Sequence, residues 1–109
     1  MLAKKFRLPI QNWLKQRKRI IIRKSDFFII KKSDNNLAFS RFGVVISKKV
    51  SKSAVSRNKI KRIIFDFIRL NKAYEISGRD IVINVLPLAA KLKKEEIEKE
   101  IKKLLIINR

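Results

Sequence analysis

The stretch RFGVVISKKVSKSAVSRNKIKRIIFDFIR, residues 41–69, changes its hydrophobic period halfway along, and that change sets the fold. Phe39 to Ser47, with Val44, Val45 and Ile46 in its middle, has the β-branched content of a strand. From Ala54 to about Asn71, residues Ile60, Ile63, Ile64, Phe67 and Ile68 recur at helical spacing, forming one apolar stripe that can lie on a sheet. Gly78 then precedes DIVINVL, Asp80 to Leu86, an apolar run stopped by Pro87 that reads as a buried strand. Strand, helix and strand in this order predict a βαβ unit over residues 39–86, for which base rates favour a right-handed crossover.

Towards the C-terminus, Leu92 to about Ile107 places Ile97, Ile101, Leu104 and Leu105 on one face, with Glu95/Lys99 and Glu98/Lys102 as supporting i, i+4 pairs. A closing helix is expected there. Towards the N-terminus, Ser33-Asp34-Asn35-Asn36 is a turn signal, and a hairpin is the simplest way to join the runs on its two sides. Ile20 to Ile22 and Phe27 to Ile30 are strand-like runs separated by Arg23-Lys24-Ser25-Asp26, readable as two strands or one irregular strand. Pro9 followed by Ile10, Trp13 and Leu14 suits a short first helix with Pro near its first turn. The predicted class is therefore α+β, a two-layer sandwich of helices on a small sheet, in a single domain over residues 1–109.

Charge narrows the function. The formal net charge is +20, and it is unevenly spread: residues 1–62 carry 19 Lys/Arg against 2 acids, residues 63–109 carry 10 against 7. Such a field attracts polyanions, phosphate backbones above all, because Lys and Arg that displace condensed counterions supply most of the sequence-independent affinity for nucleic acid. No apolar run approaches the ~20 residues of a spanning helix, so no membrane partner is expected. The basic N-terminus lacks the apolar core of a secretory signal, which makes the cytoplasm the expected location. With no Cys and no His, thiol or imidazole catalysis and the usual zinc sites are excluded, and only two carboxylates, Asp26 and Asp34, lie in the first 62 residues. No catalytic residue and no metal site of the chain's own is expected.

On a helical wheel of ~100° per residue, Asn58, Arg62 and Arg69 fall within roughly 40° of one another, opposite the apolar stripe. Lys59 and Lys61 flank this ridge, and Arg57 sits in the first turn, where backbone N–H groups also favour phosphate oxygens. Lys48, Lys49 and Lys52 continue the positive strip across the connection from strand to helix, with no acid between Asp34 and Asp66. A basic helix face is often only a solvated face, but cations this dense repel one another and are better explained by a polyanionic partner.

These residues resemble the signature of the bacterial ribonuclease P protein component. That family shows Arg-x-Gly opening a strand, Ser/Ala-Lys-Lys at its end, and Arg-Asn-Arg-Ile-Lys-Arg on the helix that follows. The present chain has Arg41 and Gly43, Ser47-Lys48-Lys49, Arg57-Asn58-Lys59-Ile60-Lys61-Arg62, and Arg69. It departs from the pattern in carrying Lys59 for the second Arg, Ser51 where many members have Gly, Phe65 on the run of the outer ridge, and Trp13 as the N-terminal aromatic.

The resemblance implies a mostly antiparallel four-stranded sheet with three helices in the order αβββαβα, and a left-handed βαβ crossover against the base rate. It implies a protein subunit of the ribonucleoprotein that removes the 5′ leader of precursor tRNA, with magnesium-dependent endonucleolytic hydrolysis carried by the RNA subunit. Partners would be that catalytic RNA and precursor tRNA, while weak self-association of the free chain is left open. Arg41, Lys48, Lys49, Lys52, Arg57, Asn58, Lys59, Lys61, Arg62 and Arg69 would bind RNA. Trp13, Phe28 and Ile30, with Lys15 and Arg17 as phosphate contacts, are the candidates for gripping a single-stranded leader. A small ribosomal or other structural RNA-binding protein is the alternative, and a DNA-binding module with a basic helix is a third reading.

Overall fold

The computed structural model describes residues 2–15, 19–75 and 78–106. Its elements are α1 (Ile10–Lys15), β1 (Ile21–Lys24), β2 (Phe28–Asp34), β3 (Arg41–Ile46), α2 (Ala54–Leu70), β4 (Arg79–Val85) and α3 (Lys94–Ile106), with short 3-10 turns at Lys4–Phe6, Ala73–Glu75 and Pro87–Lys91. The order αβββαβα and the four-stranded sheet with three helices match the expected class. In the sheet the strands run β1-β2-β4-β3, with β1/β2 and β2/β4 antiparallel and β3/β4 parallel across α2.

The hairpin expected between β2 and β3 does not form, because β4 lies between them. The reason is burial. β4 is the most buried strand, with Ile81, Val82, Ile83 and Val85 all buried, so it is best satisfied in the interior of the sheet with cover on both faces. The actual hairpin joins β1 and β2, where the Ser25 hydroxyl accepts from the Phe27 and Phe28 amides at 3.2 and 3.1 Å. Ser33 and Asp34, read as turn residues, instead belong to β2 and pair with Asp80 and Arg79. The chain turns after them: Asn35 Oδ1 accepts from the Leu37 amide at 2.8 Å, and Asn36 adopts φ 60°, a conformation Asn tolerates better than most residues.

Alternation assigns the two faces. Phe28 and Ile30 of β2, Phe42 and Val44 of β3, and Ile81, Ile83 and Val85 of β4 point to one side and form the main core with Ile60, Ile64 and Ile68 of α2 and Ile97, Ile101, Leu104 and Leu105 of α3. Leu8, Trp13 and Val82 form a second, smaller cluster on the opposite face, so α1 covers part of the side that the other helices leave open. Gly43 permits this approach. A Cβ there would lie 2.7 and 2.8 Å from Cγ1 and Cδ1 of Ile10. Because that side chain can yield, Gly43→Ala is expected to cost only about 1 kcal/mol in urea unfolding, with the disturbance confined to α1 and β3 amide shifts.

Candidate nucleic-acid interface

The connection from β3 to α2 is a tight turn pinned from below. The Val50 amide donates to the Ser47 carbonyl at 3.1 Å, and the Val50 side chain is buried in the main core. Anchored this way, the turn holds Lys48, Lys49 and Lys52 outward and exposed. Ser53 then caps α2, its hydroxyl accepting from the Ser56 amide at 3.2 Å. Asn58, Lys59, Lys61 and Arg62 are exposed on the helix, while Ile60 and Ile64 between and beneath them are buried. The turn and the first half of α2 thus present one outward strip of six cations and an asparagine.

Two of the expected RNA contacts, Arg57 and Arg41, are engaged within the fold, and a third, Arg69, stands at the edge of ion-pair distance from a neighbour. Arg57 is half-buried, and its Nη1 donates to the Ser51 carbonyl at 2.7 Å, which braces the turn. Arg41 forks onto Asp80, Nε to Oδ1 at 2.9 Å and Nη2 to Oδ2 at 2.8 Å. The hydrogen bonds it donates to Asp80 raise the Arg41 pKa above its already high ordinary value, outweighing burial, so this guanidinium is a fixed charge committed to its partner. Arg69, in the last turn, has its Nε 4.0 Å from an oxygen of Asp66 yet remains exposed.

Phe65 does not stand on the outer ridge: it is buried and lines a cleft of about 140 Å³ with Arg7, Leu8, Ile10, Phe42, Gly43, Val44 and Lys61. The Lys61 ammonium sits 5.8 Å from its ring centroid.

The residues expected to grip a leader separate into two groups. Trp13, Phe28 and Ile30 are corrected to interior positions, with exposures of 2%, 0% and 0%. Trp13 lies against Leu8 and Val82, and its indole N–H donates to Ser33 Oγ at 2.9 Å; Phe28 and Ile30 point into the main core. None offers a free face for base stacking. Lys15 is exposed on α1, and Arg17 lies outside the described residues.

The strand register shows what sequence reasoning missed. The residues between Phe28 and Ile30, and after it, face the other way. Lys24, Ile29, Asn84 and Val45 form a row across all four strands, beside a row of Ile22, Lys31, Val82 and Gly43 whose last two members are covered by the α1 region. Ile22 and Val45 are 51% and 39% exposed, so this trough is open, with apolar surface and two lysines. The alternation in FFIIKK, residues 27–32, carried the signal, since choosing Phe28 and Ile30 as core turns Ile29 and Lys31 outward.

Lys32 has the opposite fate. It shares the core face and is only 8% exposed, and burial, followed by repulsion from Arg79 and Arg23, lowers its pKa to about 8. The folded protein holds this proton less tightly than the unfolded chain, whose lysine titrates near 10.5. Stability is therefore expected to rise between pH 8 and 10.5, as the unfolded state alone retains the proton, by on the order of 2–3 kcal/mol. Urea midpoints taken across that window in the wild type and in Lys32→Met should show a rise that is shallower in the variant.

The geometry agrees with comparisons to known proteins. The family model described as Ribonuclease P matches residues 7–107. The ribonuclease P protein component of Syntrophus aciditrophicus is 40% identical over 78 residues, covering 72% of this chain and 65% of that protein. That of Rippkaea orientalis is 43% identical over 72 residues, covering 66% of this chain and 57% of that protein. The chain thus spans somewhat less than two thirds of the length of these curated relatives. Among solved structures, a mutant of the Staphylococcus aureus RNase P protein superposes with a TM-score of 0.84 at 25% identity, over 95% of this chain and 88% of that one. The RNase P protein of Thermotoga maritima gives 0.81 at 26% identity, over 91% and 96%.

Proposed function

The chain belongs to the ribonuclease P protein family, and from that membership we propose that it serves as the protein subunit of the ribonucleoprotein that removes 5′ leaders from precursor tRNA. The observation that carries this reading is the exposed strip of Lys48, Lys49, Lys52, Asn58, Lys59, Lys61 and Arg62, built on a turn and helix that the core holds rigid. Phosphates of a folded RNA are its natural ligand, since Arg can fork onto a phosphate and Asn can meet a base edge or ribose hydroxyl. Arg69 extends the strip. Arg57 and Arg41 contribute by holding the turn and β3 in place.

Hydrolysis belongs to the RNA partner in this reading. The family resemblance assigns the magnesium-dependent step to the RNA, and the chain's lack of His and Cys, which removes imidazole and thiol chemistry, fits that assignment. The protein's part is to neutralise phosphates and position substrate, which places it in the cytoplasm with precursor tRNA. The outward trough of Ile22, Lys24, Ile29, Lys31, Val45 and Asn84, with Lys15 near its α1 side, is the groove for the leader. Single strands are gripped by a basic groove with apolar platforms, and the trough has both.

Mixing the chain with a bacterial ribonuclease P RNA at low magnesium is expected to accelerate leader removal from precursor tRNA. An unchanged rate, as a merely structural RNA-binding protein would give, overturns the reading. Lys24→Ala combined with Lys31→Ala is expected to weaken precursor binding about threefold to thirtyfold while leaving mature tRNA nearly unaffected. Equal losses for the two tRNAs would remove the trough from this role.

A further inference from the structure

Lys32 is the only cation among the buried side chains of the described residues. No carboxylate pairs with it there, because Asp34, two residues along the same face of β2, is taken by Arg79. On the flanking strands its register partners are Ile21 and Ile81. Arg23 and Arg79 stand two positions along those strands, one towards Ile30 and the other towards Asp34, on the same face of the sheet. Such diagonal neighbours are ~7–8 Å apart, within reach of long side chains. Both act on Lys32 electrostatically, as its lowered pKa records. The edge strand leaves the place open to solvent, with Ile21 50% exposed. The stem of Lys32 is buried while its ammonium reaches the open edge, repelled from two sides and with one neighbouring carboxylate already engaged, so an anion that joins it relieves the repulsion.

We propose that Lys32, Arg23 and Arg79 form an oxyanion site that takes a phosphate group, at the end of the sheet away from the Lys48–Lys49 turn. Its three donors are of the kind that grip tetrahedral oxyanions: two guanidiniums that can fork and one ammonium held on a strand. The phosphate comes either from an RNA backbone or from inorganic phosphate in solution. The site does not depend on the function proposed above. If RNA is the source, the protein has a second contact region at the β1–β2 edge, away from the strip on the β3–α2 turn and α2.

The test follows the Lys32 Nζ resonance of the full chain, labelled with ¹⁵N-lysine, during titration with inorganic phosphate. The Lys32 signal is expected to shift saturably, and its pKa to rise above about 8 once phosphate is bound. Arg23→Gln and Arg79→Gln, both on solvent-accessible side chains, should each weaken the phosphate response about threefold to tenfold while the amide spectrum stays folded. Asp34→Asn, which releases Arg79, should strengthen it. A Lys32 whose ammonium meets only water at that edge would not respond selectively. An unmoved Lys32 signal while exposed lysines shift, or a response untouched by both arginine substitutions, overturns the site. A second arm adds ribonuclease P RNA in place of phosphate. A Lys32 shift with that RNA identifies a backbone phosphate as the ligand, whereas a response to inorganic phosphate alone identifies the free ion; either result supports the site.

Discussion

Asp80→Ala is expected to destabilise the folded chain by roughly 3–5 kcal/mol, enough to bring a small domain close to its unfolding threshold. The carboxylate is 3% exposed, receives both prongs of Arg41, and accepts from Asn35 Nδ2 at 2.9 Å. Its removal strands a half-buried guanidinium and frees the Asn35 side chain, which also donates to the Phe39 carbonyl at 3.2 Å. The loss therefore reaches the start of β3, the end of β2 and the loop between them. Urea unfolding of Asp80→Ala beside Asp80→Asn, which keeps one acceptor, measures it. A cost below about 1 kcal/mol for the alanine variant would show that the ion pair contributes little.

The second large effect concerns binding. Lys48→Gln, Lys49→Gln and Arg62→Gln combined should lower affinity for ribonuclease P RNA about a hundredfold at 0.1 M salt, and flatten the plot of log affinity against log salt by about 2. Each lost phosphate contact removes ~0.7–0.9 from that slope, and the difference between the two proteins vanishes towards 1 M. All three side chains are exposed, so the stability of the triple variant should hold or increase as self-repulsion falls. Arg41→Gln is the contrast. Because Asp80 occupies that guanidinium, its replacement should reduce stability and leave the salt slope unchanged. A triple variant with the wild-type slope would mean that the strip does not meet phosphate.

Much of this was legible in the chain. The stripe from Ile60 to Ile68 and the run from Asp80 to Leu86 specified α2 and β4, and the cations from Lys48 to Arg62 are where the structure exposes a strip. Less legible was the commitment of individual charges. Nothing local distinguishes Arg57 from Lys59 or Arg62, yet one braces a carbonyl and the others face water. That difference depends on Ser51, six residues away, being brought back by the turn. Arg41 likewise looks free until Asp80, 39 residues later, is laid beside it by the parallel pairing of β3 and β4.

The leader groove shows the same division more sharply. Aromatic and apolar residues near the N-terminus were visible, but a strand has two faces, and Phe28 and Ile30 go to the one that buries them best. The sequence by itself determined the three helices, β3 and β4, their order and the sign and place of the charge, because periodicity and composition are local properties, while the division of residues 20–34 into β1 and β2 came with the fold. Only the tertiary structure decided that β4 lies between β2 and β3, that Arg41 and Arg57 are engaged while Lys48 and Arg62 are exposed, and that Lys32 is buried among cations. Those outcomes depend on which distant strands meet, and in which register, so that the apolar residues on both sides of β4 are covered.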